Sequence, residues 1–314
     1  MVGQNLLQMK KENIIEIFLF ILSRGTARKH DISQHTELSN TTISVSVNWL
    51  YDAHYICRQG TEESSGGRKP VLYCANKDYG VFLGIEICKG ELRAVLMNFD
   101  GSIKETHVFR QDKQKSILKN VLHFVDGFME KQNILGIGFS LSGIIDRNKG
   151  IVIHSDLGWK NVHLKEILER HFQKPVTVGN QLDNAAVYEM RMGTRFSNFL
   201  YLGHDRNKKF SMVFNNRLYC GDSFRAGITE ERDSSFIAAL IASLDIGAVV
   251  LGCGYEKDSP YIRDIIQGGK KEVIFADGFK DAAVYSGSAA FQAFLNYLSR
   301  GGISEQKNEA LSKF

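Results

Sequence analysis

The order of strands and helices after residue 79 constrains the fold most, because it occurs twice. The first round begins with "VFLGIEICKGELRAVLMNFDGSIKETHVF", three strands separated by the turns "CKGE" and "FDGS". It continues with a helix over residues 113–131, the buried strand "ILGIGFSLSG", a helix at 164–172, a strand at 175–178 and the helix in "VGNQLDNAAVYE". The second round contains "NFLYLGH", "FSMVFNNRLY", the helix "SSFIAALIASL", the strand "GAVVLG" and helices around Tyr261 and Phe291. This alternation predicts two α/β lobes with a cleft between them.

The segment before these lobes predicts three helices. In the first helix the apolar residues recur at helical spacing, up to a stop at Gly25; they are Ile14, Ile17, Phe18, Ile21 and Leu22. "ARKHDISQHTELS" is a short second helix. "LSNTTISVSVNWLYDAHYI" is a third, which begins at the N-cap residues Ser39 and Asn40. Its apolar stripe consists of Ile43, Val47 and Leu50.

The opposite side of the third helix carries short polar side chains. Such a helix fits the major groove of DNA, although the same pattern is equally typical of a solvated face. The next hairpin favours DNA, because strands at 55–58 and 71–74 flank a Gly- and Ser-rich loop that contains basic residues. Such a loop is typical of the wing of a winged helix, which contacts phosphates or a minor groove. The candidate DNA contacts are Ser39, Asn40, Thr41, Thr42, Ser44, Asn48, Arg68 and Lys69.

Charge alone does not support this interpretation. The net charge is +4 over 314 residues, and residues 1–79 carry nine Lys and Arg against eight Asp and Glu. The prediction of DNA binding therefore rests on the pattern. The five cysteines form no CxxC pair and have no histidines at metal-binding spacing, which favours reduced thiols in a cytoplasmic protein. The run "IIEIFLFIL" is too short to span a bilayer and precedes no cleavage site.

Several segments together resemble the ROK family (repressors, open reading frames and kinases), including repressors such as those for xylose and N-acetylglucosamine. These are the third helix, the motif "GGRKP" in the wing, and "SGIIDRNKGIVIHSDLGW", which is similar to the family pattern PGxVDxxxGxVxxxPNLGW. The resemblance implies an α/β fold with a winged helix-turn-helix over residues 1–77. It implies actin-like (ribonuclease-H-like) lobes over 78–195 and 196–314, the second without the family's zinc-binding insertion.

The resemblance also implies a kinase-like cleft, but the phosphate loops depart from the family. The family's first loop, DxGGTK, is matched by "EICKGE", with Cys88 and Lys89 in place of glycines. The second loop, GTGIGGG, is matched by "HDRNKKF", which has no glycine and whose Lys208 and Lys209 are expected in a solvated turn. Phosphates need close backbone approach, which side chains at these positions obstruct.

The sugar-binding motif ENDANAA of the family is altered as well. The resemblance puts Asn180 on its first Asn and Gln181 on the Asp that serves as catalytic base. An amide cannot accept the proton, and loss of a positioned base typically costs ~10²- to 10⁴-fold in rate. Asp183 lies roughly 200° away around the helix and is expected to compensate the charge of the helix N-terminus instead.

Four positions remain as a candidate effector site: Gly143, Asp156, Asn180 and Gln181. The family's sugar-binding Glu of GEIGH is replaced by Ile228, and its zinc segment CGCGxxGC is missing. The sequence therefore predicts no catalytic residue, no metal and no cofactor.

The predicted function is a DNA-binding transcriptional regulator, chiefly a repressor, of carbohydrate-related genes. The body would form a homodimer and bind a sugar or sugar derivative. An alternative is a body that only dimerises or contacts another protein, without a ligand. A remote alternative is a sugar kinase with an attached DNA-binding domain.

Overall fold

The computed structural model describes residues 2–61, 71–203, 209–228, 234–252, 272–276 and 284–299. Its N-terminal part consists of three helices and a two-stranded antiparallel sheet. These elements are α1 (Val2–Arg24), α2 (Lys29–His35), α3 (Asn40–Asp52), β1 (Ile56–Thr61) and β2 (Val71–Ala75). The order of three helices and a hairpin is the winged-helix arrangement that the sequence predicts.

The core of this N-terminal part is formed by the apolar positions that the periodicity selected. Ile17, Phe18 and Ile21 of α1 are fully buried, as are Val47 and Leu50 of α3. Because α1 and α3 pack these stripes against each other, the opposite face of α3 remains available to solvent.

The first sheet of the body has five strands in the order β10-β6-β3-β4-β5. β10, β6 and β3 are parallel, whereas β4 and β5 are antiparallel to their neighbours. A separate antiparallel sheet contains β7, β8 and β9. The elements are β3 (Val81–Ile87), β4 (Glu91–Asn98), β5 (Ile103–Arg110), α4 (Ile117–Met129), β6 (Ile134–Leu141), β7 (Gly143–Asp146), β8 (Ile151–Ser155), β9 (Lys160–Val162), α5 (Leu164–Phe172), β10 (Val176–Asn180) and α6 (Gln181–Tyr188).

The second sheet repeats the topology of the first. Its order is β13-β12-β11-β14-β15. When the first sheet is read from β5 to β10, both sheets place their own strands in the order third, second, first, fourth, fifth along the chain. In both, the first, fourth and fifth strands are parallel. The elements are β11 (Phe199–Leu202), β12 (Phe210–Phe214), β13 (Arg217–Tyr219), α7 (Ser234–Ser243), β14 (Ala248–Leu251), β15 (Glu272–Phe275) and α8 (Val284–Tyr297). The repeat confirms the prediction of two α/β sheets.

Helix α8 packs across the first sheet, although it follows the second sheet in the chain. Two glycines allow this approach: a Cβ on Gly84 would lie 1.8 Å from Ser286 O, and one on Gly138 would lie 1.8 Å from Ala289 O. The division of the body at residues 195 and 196 remains a prediction.

Some elements differ from the prediction. Helix α4 begins at Ile117 rather than Lys113, because Ser116 Oγ accepts a hydrogen bond from Lys119 N and caps the helix there. Neither the β7–β9 sheet nor β15 was predicted. The predicted helix around Tyr261 lies outside the described residues.

The cysteines on the hairpin are closer than their spacing in the sequence suggests. Cys57 and Cys74 are direct partners across β1 and β2, and their Sγ atoms are 2.9 Å apart. Both are free thiols. Separately, none of the helices that the structure describes has the length and apolar character of a membrane span.

Candidate functional site

The N-terminus of α3 is fixed by its own side chains. Ser39 Oγ accepts a hydrogen bond from Thr42 N at 3.2 Å and lies 2.9 Å from Thr42 Oγ1. Asn40 and Thr41 follow the cap and are exposed. The start of α3 therefore presents polar groups on a backbone that is already ordered.

Farther along α3, the exposed face meets basic residues from other elements. Asn48 is exposed, and its Oδ1 accepts a hydrogen bond from Lys29 Nζ of α2 at 3.3 Å. Arg58 of β1 stacks over the ring of Tyr51 at 4.5 Å. Burial lowers the pKa of Lys29, and the charge of Arg58 lowers it further. The two cations therefore lie close enough to interact beside α3.

Sequence reasoning missed Lys29, Arg58 and two apolar residues of this face. Val45 is 41% exposed and Tyr51 is 36% exposed. Val45 lies one helical turn from Thr41, on the polar side of α3. The helical spacing was sufficient to find Val45, but the contacts of Lys29 and Arg58 depend on the packing of α2 and β1 against α3. Thr42 and Ser44 are half-buried, and Arg68 and Lys69 lie outside the described residues.

In the cleft of the body, the two positions matched to kinase acids contact each other. Gln181 begins α6, and its Nε2 donates a hydrogen bond to Glu86 Oε1 at 2.6 Å. Glu86 is 2% exposed and forms an ion pair with Arg93 at 3.4 Å. Burial raises the pKa of Glu86, while Arg93 opposes that shift. The position of a kinase base is thus occupied by an amide that donates to a buried carboxyl.

At the altered phosphate loop, burial is again the main cause of a pKa shift, here that of Cys88. It raises the pKa of Cys88 to about 12, and the neighbouring charge of Glu86 contributes. Cys88 and Lys89 occupy the turn between β3 and β4. A protonated thiol in a filled turn offers no charge and little space for a phosphate.

The other candidate effector residues also have partners within the chain. Asn180 caps α6 by accepting from Leu182 N at 2.9 Å, and its Nδ2 donates to Gly143 O at 2.6 Å. Asp156 Oδ2 accepts from Ser142 Oγ at 2.7 Å. Because Ser142 adjoins Gly143 and Gln181 follows Asn180, the structure brings all four predicted positions into one neighbourhood.

Two polar residues cross from one sheet to the other. Lys209 Nζ donates to Ser142 Oγ at 3.1 Å and lies 4.0 Å from Asp156 Oδ2, with a side chain that is 16% exposed. The expectation of a solvated turn at Lys209 is therefore wrong, because this side chain packs against Ser142 and Asp156 of the first lobe. Asp183 lies in the first turn of α6 and also accepts from Ser211 Oγ at 2.6 Å. Burial raises the pKa of Asp183.

The described residues contain no group of three or more His, Cys, Asp or Glu side chains that could hold a metal ion. Cys253, one of the five cysteines, lies outside them.

The two sheets share one strand order and define an actin-like, two-lobe body of the sugar-kinase type. The winged helix precedes this body in the chain. Residues 82–231 match the ROK family and carry a domain of that family. The prediction of a ROK-family domain is confirmed over these residues.

The chain is similar to curated repressors over part of their length. It is 28% identical over 228 residues to the xylose repressor of Bacillus spizizenii, covering 70% of this chain and 59% of that protein. It is 29% identical over 231 residues to the xylose repressor of Caldicellulosiruptor bescii, covering 70% and 58%. The chain thus spans less than two thirds of the length of these relatives.

Solved structures of the family share the fold. A ROK family transcriptional regulator, described as a homologue of the E. coli MLC protein, covers 93% of this chain and 98% of its own, with a TM-score of 0.69 at 15% identity. The ROK hexokinase of Thermus thermophilus covers 68% of this chain and 98% of its own, with a TM-score of 0.56 at 16% identity. The first match extends through the N-terminal region and confirms the predicted fold class.

Proposed function

We propose that this chain is a DNA-binding transcriptional repressor of sugar-related genes, acting as a homodimer in the cytoplasm. The observation that carries the proposal is the exposed polar face of α3, with its fixed N-terminus and the cations Lys29 and Arg58 beside it. A major groove admits such a helix, and cations at its margin reach phosphates. The similarity to proteins named xylose repressors supports the same function.

In this proposal the exposed residues of α3 have separate roles. Asn48 and Thr41 read base edges, and Val45 contacts a thymine methyl group. The residues of the cap, Ser39, Asn40 and Thr42, with Ser44, set the position of the helix end in the groove. Arg68 and Lys69 of the wing and Arg58 contact phosphates. A two-fold dimer would present two such helices about 34–36 Å apart, one turn of DNA.

We also propose that the body does not transfer phosphate. The hydrogen bond from Gln181 to Glu86 occupies the position of the base, and the β3–β4 turn carries Cys88 and Lys89 where the family's phosphate loop has glycines. Gly143, Asp156, Asn180 and Gln181 form the candidate sugar site, as in the family resemblance. Because these residues already bond within the chain, a body used only for dimerisation is the second candidate.

The test is binding of the purified full chain to DNA fragments from upstream of its own gene and of carbohydrate operons. Fluorescence anisotropy at low salt should show sequence-dependent binding, and selection from random DNA should return a two-fold symmetric site. Binding that is equal for all fragments would contradict the proposal. ATP-dependent phosphorylation of a hexose by the wild type, lost in Gln181→Ala, would support the alternative of a sugar kinase.

A further inference from the structure

A cavity of about 930 Å³ lies between helix α1 of the DNA-binding part and the body. One wall is a face of α1 that includes Glu12, Ile15, Glu16 and Leu19. The opposite wall consists of Arg147 in the β7–β8 turn, Thr177 of β10, and Gln292 and Asn296 of α8. None of the four candidate effector residues of the cleft lines this cavity. It is therefore a separate space, at the junction of the two functional parts.

The body wall of the cavity contains most of the buried polar atoms that lack a hydrogen-bond partner among the described residues. Among the described residues, five buried side-chain polar atoms have no hydrogen-bond partner, and four of them belong to residues of this wall: Arg147 Nη1, Thr177 Oγ1, Gln292 Nε2 and Asn296 Nδ2. Buried polar groups normally have partners, because an unsatisfied one costs free energy. Their concentration at one cavity makes this wall a place where a bound molecule can supply the partners.

The orientation of these groups follows from one contact. Arg147 Nη2 donates to Gln292 Oε1 at 3.1 Å, so the amide oxygen is already used and Nε2 remains as a donor. Gln292 and Asn296 are four residues apart on α8 and therefore share a face. Three of the four unpartnered atoms are thus N–H donors, and one belongs to a guanidinium.

The chemistry of the walls selects a class of ligand. A surplus of donors beside a guanidinium fits carboxylate or phosphate oxygens, and Lys11 and Arg191 add positive charge. On α1, Glu12 and Glu16 fit hydroxyl groups, which can donate to carboxylates. Ile15 and Leu19 provide apolar surface for C–H groups. The volume lies within the range of small-molecule pockets.

We propose that this cavity binds a small polyhydroxylated anion, a phosphate monoester or a carboxylate, with its anionic group at Arg147 and its hydroxyls toward α1. As a consequence that rests on the proposed function, the ligand sets the orientation of the DNA-binding part. Helix α1 packs on α3, so a molecule that contacts both α1 and the body favours one arrangement of the reading helices.

The test uses the full chain without DNA, in calorimetry and thermal-shift assays. The probes are glucose 6-phosphate and gluconate, with glucose, xylose and inorganic phosphate as comparisons. At least one hydroxylated anion should bind at millimolar concentration, more tightly than its neutral counterpart and than inorganic phosphate. Failure of both anions to bind, or equal binding of inorganic phosphate, would overturn the proposal.

Variants locate the site. Arg147→Ala should weaken binding of the anion about 10- to 100-fold, as expected for loss of a charge-assisted hydrogen bond. Asn296→Asp adds a negative charge without removing the Arg147–Gln292 contact, and it should weaken binding of the anion as well. The matched control is Lys119→Ala on α4, which removes a positive charge at an exposed position that does not line the cavity and should leave binding unchanged. Loss of binding in Asp156→Asn of the cleft, with the two cavity variants unaffected, would place the ligand in the cleft and overturn the proposal.

The design separates this inference from the proposed function. DNA binding in the absence of ligand tests the regulator, whereas calorimetry without DNA tests the cavity. A chain that binds DNA but no anion retains the proposed function and loses the cavity proposal.

Discussion

At the scale of single residues, the position that the family resemblance matches to a catalytic acid is held by an amide, which is hydrogen-bonded to a buried carboxyl. Gln181 donates to Glu86, and Arg93 neutralises that carboxyl from the other side. Gln181, Glu86 and Arg93 therefore form one bonded cluster in the cleft. The same residues now connect α6 to β3 and to β4.

The buried carboxyl in this cluster predicts a pH dependence of stability. Burial raises the pKa of Glu86 above 4.5, so the folded state holds this proton to higher pH than the unfolded chain does. The stabilisation is fully present below pH 4.5 and is lost as the pH rises through the raised pKa. Urea unfolding of the wild type and Glu86→Gln, between about pH 4.5 and 8, should show that the variant lacks this decline. Equal pH slopes for the two proteins would show that Glu86 titrates normally.

If the exposed face of α3 binds DNA as proposed, two substitutions should weaken binding in different ways. Asn48→Ala should reduce discrimination at one base pair by about 1–3 kcal/mol, because it removes a base contact. Arg58→Ala should weaken binding to all sequences alike and lower the salt slope by about one, because it removes a phosphate contact. The measurement is anisotropy with operators that differ at single base pairs.

Lys119→Ala is the matched control for the loss of charge. Lys119 is exposed on α4 of the body, so its removal should leave DNA binding unchanged. If Asn48→Ala and Arg58→Ala weaken all operators to the same extent, α3 does not read bases with this face.

At the scale of elements, the N-cap of α3 predicts a contribution to stability. Ser39→Ala removes the acceptor of Thr42 N and should lower the free energy of unfolding by about 0.5–2 kcal/mol. Ser39→Asn retains a capping oxygen and should restore most of it. Chemical denaturation of the full chain measures both. A similar loss in the two variants would indicate a role for the hydroxyl other than capping.

Element boundaries were predictable where a local signal marks them. Helix α5 begins and ends at Leu164 and Phe172, as its apolar spacing predicts, and β4 and β5 flank the turn "FDGS". The small β7–β9 sheet was missed because its strands have three to five residues, too few for a clear alternation.

At the scale of the whole molecule, aromatic packing joins the N-terminal helices to the body. The ring of Phe99 lies 5.4 Å from Phe18 of α1, 5.4 Å from Tyr55, and 5.6 Å from Phe294 of α8. The same α8 carries Gln292 and Asn296 in the cavity wall. Helices α1 and α8 therefore pack on the same buried aromatic cluster.

Removal of this junction should uncouple the two parts. Phe99→Ala should cost about 3–5 kcal/mol, the usual penalty for a buried phenylalanine. In calorimetry the N-terminal helices should melt before the body. The control is Phe128→Ala on α4, because the ring of Phe128 is half-buried and meets Phe124 edge to face; this variant should leave one transition. A single transition in Phe99→Ala would show that other contacts hold the parts together.

The sequence by itself determined the winged-helix order and the repeated α/β order, because periodicity, caps and turns act between near neighbours. The family came from a resemblance of motifs, and the four cleft positions that this resemblance implies remain a prediction. Only the tertiary structure decided which side chains meet across long separations. Gln181 and Glu86 are 95 residues apart in the chain, Lys209 and Ser142 are 67 apart, and Arg147 and Gln292 are 145 apart. Polar side chains satisfy their hydrogen bonds with whatever the fold brings near them, and no local pattern encodes that choice. The cavity at α1 exists for the same reason, since its walls come from elements at both ends of the chain.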